Sequence, residues 1–292
     1  MRRKRAVQCA IGVIALVLLC LLVREVYLMR KGYQSVRIEN SEEVAEKIRT
    51  GLGHRAYKLH ITFRAHTDNE EVIKSLVDDL IEKALYESDD PTGGDYIRYQ
   101  LGGYQMNYSV DRTFLAYKYK MELMPTYYST RDQEAYVDTE VARILEELQA
   151  QDKTEEEKVR IVHDYVTELL SYDSVHKDNR NSHGKTTAYA ALRYHQAVCQ
   201  GYAVLSYRLL KELGVRCRIV TGDAEVNGIR ERHAWLKVNV DGSEWYVDPT
   251  LDDVGGCYDW FMKTEDAFSK DHWPRTDEKY KEHYETETAT GI

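Results

Sequence analysis

Residues 56–64, "AYKLHITFR", set Tyr57, Leu59, Ile61 and Phe63 at alternate positions, the period of a half-buried strand. The period then changes. Val72, Leu76, Leu80, Ile81 and Leu85 fall on one helical face, predicting a helix that Thr67 or Asp68 can cap. The turn-forming "DDPTGG" precedes two strands expected near 96–110 and 113–124. Val137, Val141, Ile144, Leu145 and Leu148 then mark a helix over about 132–150. This β-α-β-β-α order predicts a small α+β domain over 34–150.

A second unit starts at Thr154, where "TEEE" reads as a capping box closed by Glu157. Val159, Val162, Val166, Leu169 and Leu170 give its first helix, and polar "DSVHKDNRNSHGK" separates this from a short helix near 186–194. The helix in "AVCQGYAVLSYRLLKELGV" has an apolar face of Tyr202, Leu205, Leu209, Leu210 and Leu213, with Gly214 placed for a left-handed C-terminal cap. Beyond Gly214 the period becomes two, through "RCRIVTG", "RHAWLKVNV" and "EWYVD". Helices first and antiparallel strands second is an α+β order. This unit covers 154–275, and 276–292 is a polar tail.

Charge and hydropathy add a membrane segment. Residues 6–23 form an uncharged apolar run of 18, at the short end for a spanning helix. "MRRKR" before the run outweighs Arg24, Arg30 and Lys31 after it, which orients the N-terminus toward the cytoplasm. A cleaved signal peptide is the rival reading, but "CLLVREVYLM" offers no small-x-small cleavage site. Residues 1–31 therefore read as a single-pass anchor with a basic flank. The remaining chain holds 33 basic and 48 acidic residues, a net charge of −15, which argues against nucleic acid as a partner.

Of five cysteines, Cys9 and Cys20 lie in the anchor. Cys199, Cys217 and Cys257 have neither a disulfide framework nor zinc-ligand spacing, although Cys217 and Cys257 are free to pair outside the cytoplasm. Cys199 stands at the start of its helix, where unpaired N–H groups and the positive end of the dipole favour a thiolate. A small packing residue is the bland alternative.

A cysteine nucleophile needs a base, and the base needs an orienting group. In "RHAWLKVNVDGSEWYVDPT", Ala234, Leu236, Val238 and Val240 share one strand face, leaving His233, Trp235, Lys237 and Asn239 on the other. "DG" predicts a tight hairpin. With a two-residue loop Val240 pairs Ser243, Trp235 faces Asp248, and His233 faces Thr250. His233 and Asp248 are then diagonal neighbours, with Cα atoms roughly 7–8 Å apart. A three-residue loop would turn Asp248 to the wrong face. Taken singly, His233 could be an ordinary strand histidine and Asp248 a turn-former before Pro249.

Together these stretches resemble the transglutaminase-like superfamily of papain-like cysteine enzymes. The carriers are "AVCQGYA", "HAW" and "WYVDPTLDD", in the family's order, within about 155–275. "IVHDYVTELLSYD" and "DWFMKTEDAFSKDHW" are more loosely similar to bacterial, cell-surface members. Relatives often carry glycine a few residues before the cysteine, where "RYHQAVC" has His195. The resemblance implies that Cys199 attacks an amide carbonyl, His233 activates the thiol and protonates the leaving amine, and Asp248 holds the imidazole. The Cys199 N–H is the natural oxyanion donor. Gln200 and Tyr172 are candidates for a second, against readings as a surface glutamine and a packing tyrosine.

The other histidines read more plainly. His54, His60 and His66 are ordinary strand or loop residues, and His163, His183, His195 and His272 are structural or exposed. His272 lies in "KDHW", a segment that recurs in similar proteins, so a place near the site is open to it. Asp252 and Asp253 read as a solvated acidic turn rather than a calcium site, since no EF-hand-type loop is present. No metal and no cofactor are expected. The chain thus reads as a membrane-anchored, extracytoplasmic cysteine acyl-transferase or amide hydrolase acting on peptide or protein amides, with cell-wall peptides among the substrates implied. The rival is a non-catalytic surface binding module that retains the fold.

Overall fold

The computed structural model describes residues 41–112, 116–175, 185–226 and 228–275. The apolar run at 6–23, His183 and the tail at 276–292 lie outside them. Among the described residues no helix is long and apolar enough to cross a membrane.

The first helix among the described residues, α1 (Ser41–Gly53), precedes the strand seen in the hydropathy pattern, β1 (Leu59–Ala65). Leu59, Ile61, Phe63 and Ala65 are its buried residues. Tyr57 falls outside the strand and is 83 % exposed. Helix α2 (Glu70–Ala84) is capped by Asn69 rather than by Thr67 or Asp68. Asn69 Oδ1 accepts from the Glu71 and Val72 N–H groups, while the Thr67 hydroxyl instead accepts from the Asn69 N–H. The strand expected from residue 96 starts later, because α3 (Gly94–Arg98) occupies that segment and β2 (Leu101–Arg112) follows it. With β3 (Tyr117–Tyr127) they form an antiparallel sheet in the order β1-β3-β2. Ile48 and Leu52 of α1 and Val77 and Leu80 of α2 share a core with its Ile61 and Phe63.

Helix α4 (Arg131–Leu148) begins with a Thr130–Gln133 capping box. Its Val137, Val141 and Ile144 lie in the other, larger core. That core also contains residues of α5 (Glu155–Leu169), α6 (Ala188–Tyr194) and α7 (Cys199–Glu212). The Thr154–Glu157 capping box is formed at the start of α5. Every residue of α7 from Gly201 to Lys211 is buried, so it is a central helix and not a one-sided surface one. Gly214 follows it with φ 77°, in the left-handed region.

The strands β6 (Cys217–Val226), β7 (Ile229–Val240), β8 (Ser243–Val247) and β9 (His272–Pro274) form an antiparallel sheet in the order β8-β7-β6-β9. Helices α8 (Pro249–Gly255) and α9 (Glu265–Phe268) lie between β8 and β9 in the chain. A short parallel pair, β4 (Ser171–Tyr172) with β5 (Gln196–Ala197), leads into α7. Both parts of the chain are mixed helix and sheet.

The α3 segment joins the two parts. Asp95 accepts from Arg218 at 2.8 and 3.1 Å and from the Ile219 N–H at 2.9 Å. Beside it, Lys211 pairs with Glu87 at 2.9 Å. Burial, with the neighbouring Asp95 charge, raises the Glu87 pKa.

Candidate active site

The approach to Cys199 is fixed by backbone. His195 ends α6 with φ 52°, so where relatives often have glycine this chain still takes the left-handed conformation glycine favours. Ala197 pairs with Tyr172, and the Val198 N–H donates to Lys185 O at 3.1 Å. Cys199 is then the first residue of α7. Gly201 lets the approach pack this closely: a Cβ there would stand 2.7 Å from Ala197 Cβ and 2.8 Å from Lys185 O. The helix-start N–H of Cys199 lies where no intrahelical acceptor exists.

The hairpin supplies the partners. Asp241 and Gly242, at φ 51° and 79°, make a two-residue turn, and pairing runs from Val240↔Ser243 to Leu236↔Val247. Asp248 then leaves the ladder. Its N–H donates to Trp260 O at 3.0 Å, and Pro249 starts α8, so the expected facing of His233 and Thr250 is not formed. Asp248 Oδ1 caps α8, accepting from the Thr250 and Leu251 N–H groups at 3.0 and 3.1 Å. Its other oxygen, Oδ2, lies 2.7 Å from His233 Nε2. Cys199 adjoins the His233 ring closely enough to help raise its pKa, and with Nε2 on Asp248 the nitrogen left for the thiol is Nδ1. His233 thus joins Asp248 through one ring nitrogen and lies beside Cys199.

Burial sets the electrostatics. It opposes the charged form of His233, but Asp248 and Cys199 outweigh it and hold the imidazole pKa well above its ordinary value. Burial likewise opposes an ionised Asp248, yet His233 and His272 hold that carboxyl well below the usual range.

Other residues sit differently from the sequence reading. His272 is neither exposed nor remote: it is buried, with Nε2 3.1 Å from Asp248 Oδ2 and Nδ1 2.7 Å from Asp271 Oδ1. Its signal was "KDHW" together with Gly222, where a Cβ would meet Trp273 O at 2.2 Å and prevent β9 from pairing with β6. Asp252 is not a solvated turn. It is buried against His163 Nε2 at 3.0 Å, which ties α5 to α8 one turn beyond Asp248. Asp253 accepts from the Tyr202 hydroxyl at 2.5 Å.

The oxyanion candidates separate as well. Gln200 donates through Nε2 to Tyr99 O at 2.7 Å, so that donor faces the first half of the chain. Tyr172 is half-buried and packs on the larger core. His195, His54, His60 and His66 are exposed. Cys217 and Cys257 are free thiols and do not pair, and burial pushes both pKa values up. Among the described residues the one group of potential metal donors is His233, Asp248 and His272, with atoms within 4.8 Å of one another. Both Nε2 atoms are hydrogen-bonded to Asp248 Oδ2, so the cluster is occupied as a hydrogen-bond chain.

Residues 142–249 match the model of the transglutaminase-like superfamily, so the chain carries a transglutaminase-like domain. The match includes Cys199, His233 and Asp248. Among solved structures the chain is similar to a crystal structure of a TGase, at 20% identity and a TM-score of 0.37, over 49% of this chain and 44% of that one. It is also similar to a candidate cysteine protease from Cytophaga hutchinsonii, at 15% identity and a TM-score of 0.33, over 51% of this chain and 65% of that one. A candidate protease from Parabacteroides distasonis is 15% identical with a TM-score of 0.30, over 50% of this chain and 37% of that one. The chain thus spans less than two thirds of each of these structures. No curated protein matches it.

Proposed function

We propose that this protein is a cysteine acyl-transferase or amide hydrolase that acts on peptide or protein amides through Cys199, His233 and Asp248. The observation that carries the reading is the His233 ring, 2.7 Å from Asp248 Oδ2 through Nε2 and raised in pKa by Asp248 and Cys199 beside it. Cys199 Sγ, its proton taken by His233, adds to the amide carbonyl carbon. The oxygen becomes an oxyanion beside the helix-start N–H of Cys199. The C–N bond then breaks, His233 protonates the departing amine, and an acyl thioester remains on Cys199. Water or a second amine attacks that thioester, with His233 accepting its proton and Cys199 leaving as thiolate. Asp248 keeps the ring oriented and stabilises its charged form throughout. Water as acceptor makes the protein a hydrolase; an amine makes it a cross-linker.

The basic flank and apolar run at 1–31 support placing this chemistry outside the cytoplasm on a membrane anchor, with cell-wall peptides or surface proteins as substrates. A reporter fused after residue 292 is expected outside the cytoplasm, on a chain of full length in the membrane fraction. A soluble chain shortened near residue 24 would make the run a cleaved signal.

Alkylation of the full-length chain tests the chemistry without a known substrate. At neutral pH, Cys199 is expected to react with iodoacetamide faster than Cys217 or Cys257, as read by peptide mass. Equal labelling of Cys199 and the half-buried Cys257 would favour the non-catalytic binding module. Incorporation of a labelled amine into added protein would select the cross-linker.

A further inference from the structure

Two imidazoles approach Asp248 Oδ2, and the chemistry above uses only one of them. His272 on β9 puts Nε2 3.1 Å from that oxygen and Nδ1 2.7 Å from Asp271 Oδ1. An ionised carboxylate only accepts hydrogen bonds, so the ring serves both carboxylates at once only as a two-fold donor.

The surroundings hold it in that place. His272 is 1% exposed. Phe268 lies across its ring at 3.8 Å between centroids, and Trp235 meets it edge-on at 5.0 Å. The other oxygen of Asp271 accepts from Trp260 Nε1 at 3.0 Å, which fixes the far end of the chain. The ionisable groups around the ring are Asp248 from the β8–α8 junction, Asp271 beside it in sequence, and His233 of β7, 6.0 Å away between centroids.

We infer that His272 is a positioning residue of this site, a fixed imidazolium that orients the Asp248 carboxylate toward His233 and shares its charge. The inference rests on the Cys199–His233–Asp248 reading. Because one oxygen serves two cations, Asp248 pulls less strongly on the His233 proton than an unshared carboxylate would. Removing the charge at 272 makes the neighbourhood of His233 and Cys199 more negative. Loss of a proton from either group then becomes harder and moves to higher pH.

The test is the pH dependence of Cys199 alkylation by iodoacetamide in the full-length chain. His272→Gln keeps a hydrogen-bond donor and removes the charge; His272→Lys keeps the charge and removes the ring. With His272→Gln the midpoint of the rise in alkylation is expected about 1 pH unit above wild type, the size of shift one neighbouring charge gives a buried group. His272→Lys is expected to restore most of that difference. A midpoint unchanged in both variants, with only thermal stability lowered, is what simple packing gives, and it overturns the inference. If neither variant folds, nitrogen NMR of histidine-labelled wild type decides: two protonated ring nitrogens on His272 at neutral pH uphold it, and one overturns it. A wild-type Cys199 no more reactive than Cys257 would remove the triad reading itself, whatever the variants do.

Discussion

Asp248 serves the helix and the proposed chemistry with different oxygens. Oδ1 caps α8 and Oδ2 meets the imidazoles, so its replacement can be designed to separate the two roles. Asparagine is as good an N-cap as aspartate, so Asp248→Asn is expected to keep α8 capped and the fold intact, with Tm lowered because both imidazoles lose their buried carboxylate. Its amide nitrogen would then donate toward His233 Nε2, forcing the ring proton onto Nδ1, the side facing Cys199. A ring in that tautomer cannot accept the thiol proton. Turnover is expected to fall by about 10²–10⁴, as for the corresponding change in serine triads, and a loss under tenfold would show that Asp248 does not set the tautomer. The placements of Cys199, His233 and Asp248 were legible because each is a local landmark: a helix start, a strand position, the end of a hairpin. His272 was not, because its role depends on β9 crossing to the far edge of the sheet beside Gly222, a tertiary event that no local period encodes.

At the scale of elements, the Asp241–Gly242 turn sets the register for everything beyond it. Inserting one residue after Gly242 slips β8 by one position and exchanges its faces. The expected result is a loss of Cys199 reactivity and turnover about as large as that of Asp248→Asn, with helical content by circular dichroism unchanged. Retained reactivity would mean that contacts around α8, and not the turn, locate Asp248. The hairpin was readable from "DG" between alternating strands because turn chemistry is local. So were the capping box at Thr154 and the stripe of β1. The start of β2 was misread because Tyr96 and Ile97 are strand-favouring residues, whereas the buried Asp95–Arg218 pairing holds that stretch in α3. α7 misled in another way. Ser206 and Arg208 look like a solvent face, but both are buried, with Arg208 paired to Asp138 and Glu212.

For the whole molecule, the contacts between its two parts lead straight to the site. Tyr99 receives the Gln200 side chain one residue after the nucleophile, and Asp95 gathers Arg218 and the Ile219 N–H. Asp95→Ala leaves the nearly buried Arg218 without this carboxylate, and breaking such a buried pair destabilises by about 3–5 kcal/mol. Urea unfolding of the full chain is the measurement; a change under about 1 kcal/mol would make the pairing incidental. The placement of α4 has a further consequence during synthesis. Tyr136 of α4 meets Tyr189 of α6 edge-on at 5.5 Å, and Val137, Val141 and Ile144 lie in a core built largely from later sequence. A ribosome delivers α4 before α6 and α7 exist, so the nascent chain carries an uncovered apolar stripe after its first sheet is complete. Chaperone dependence, if this protein has any, should therefore begin at α4 and end once α7 has emerged.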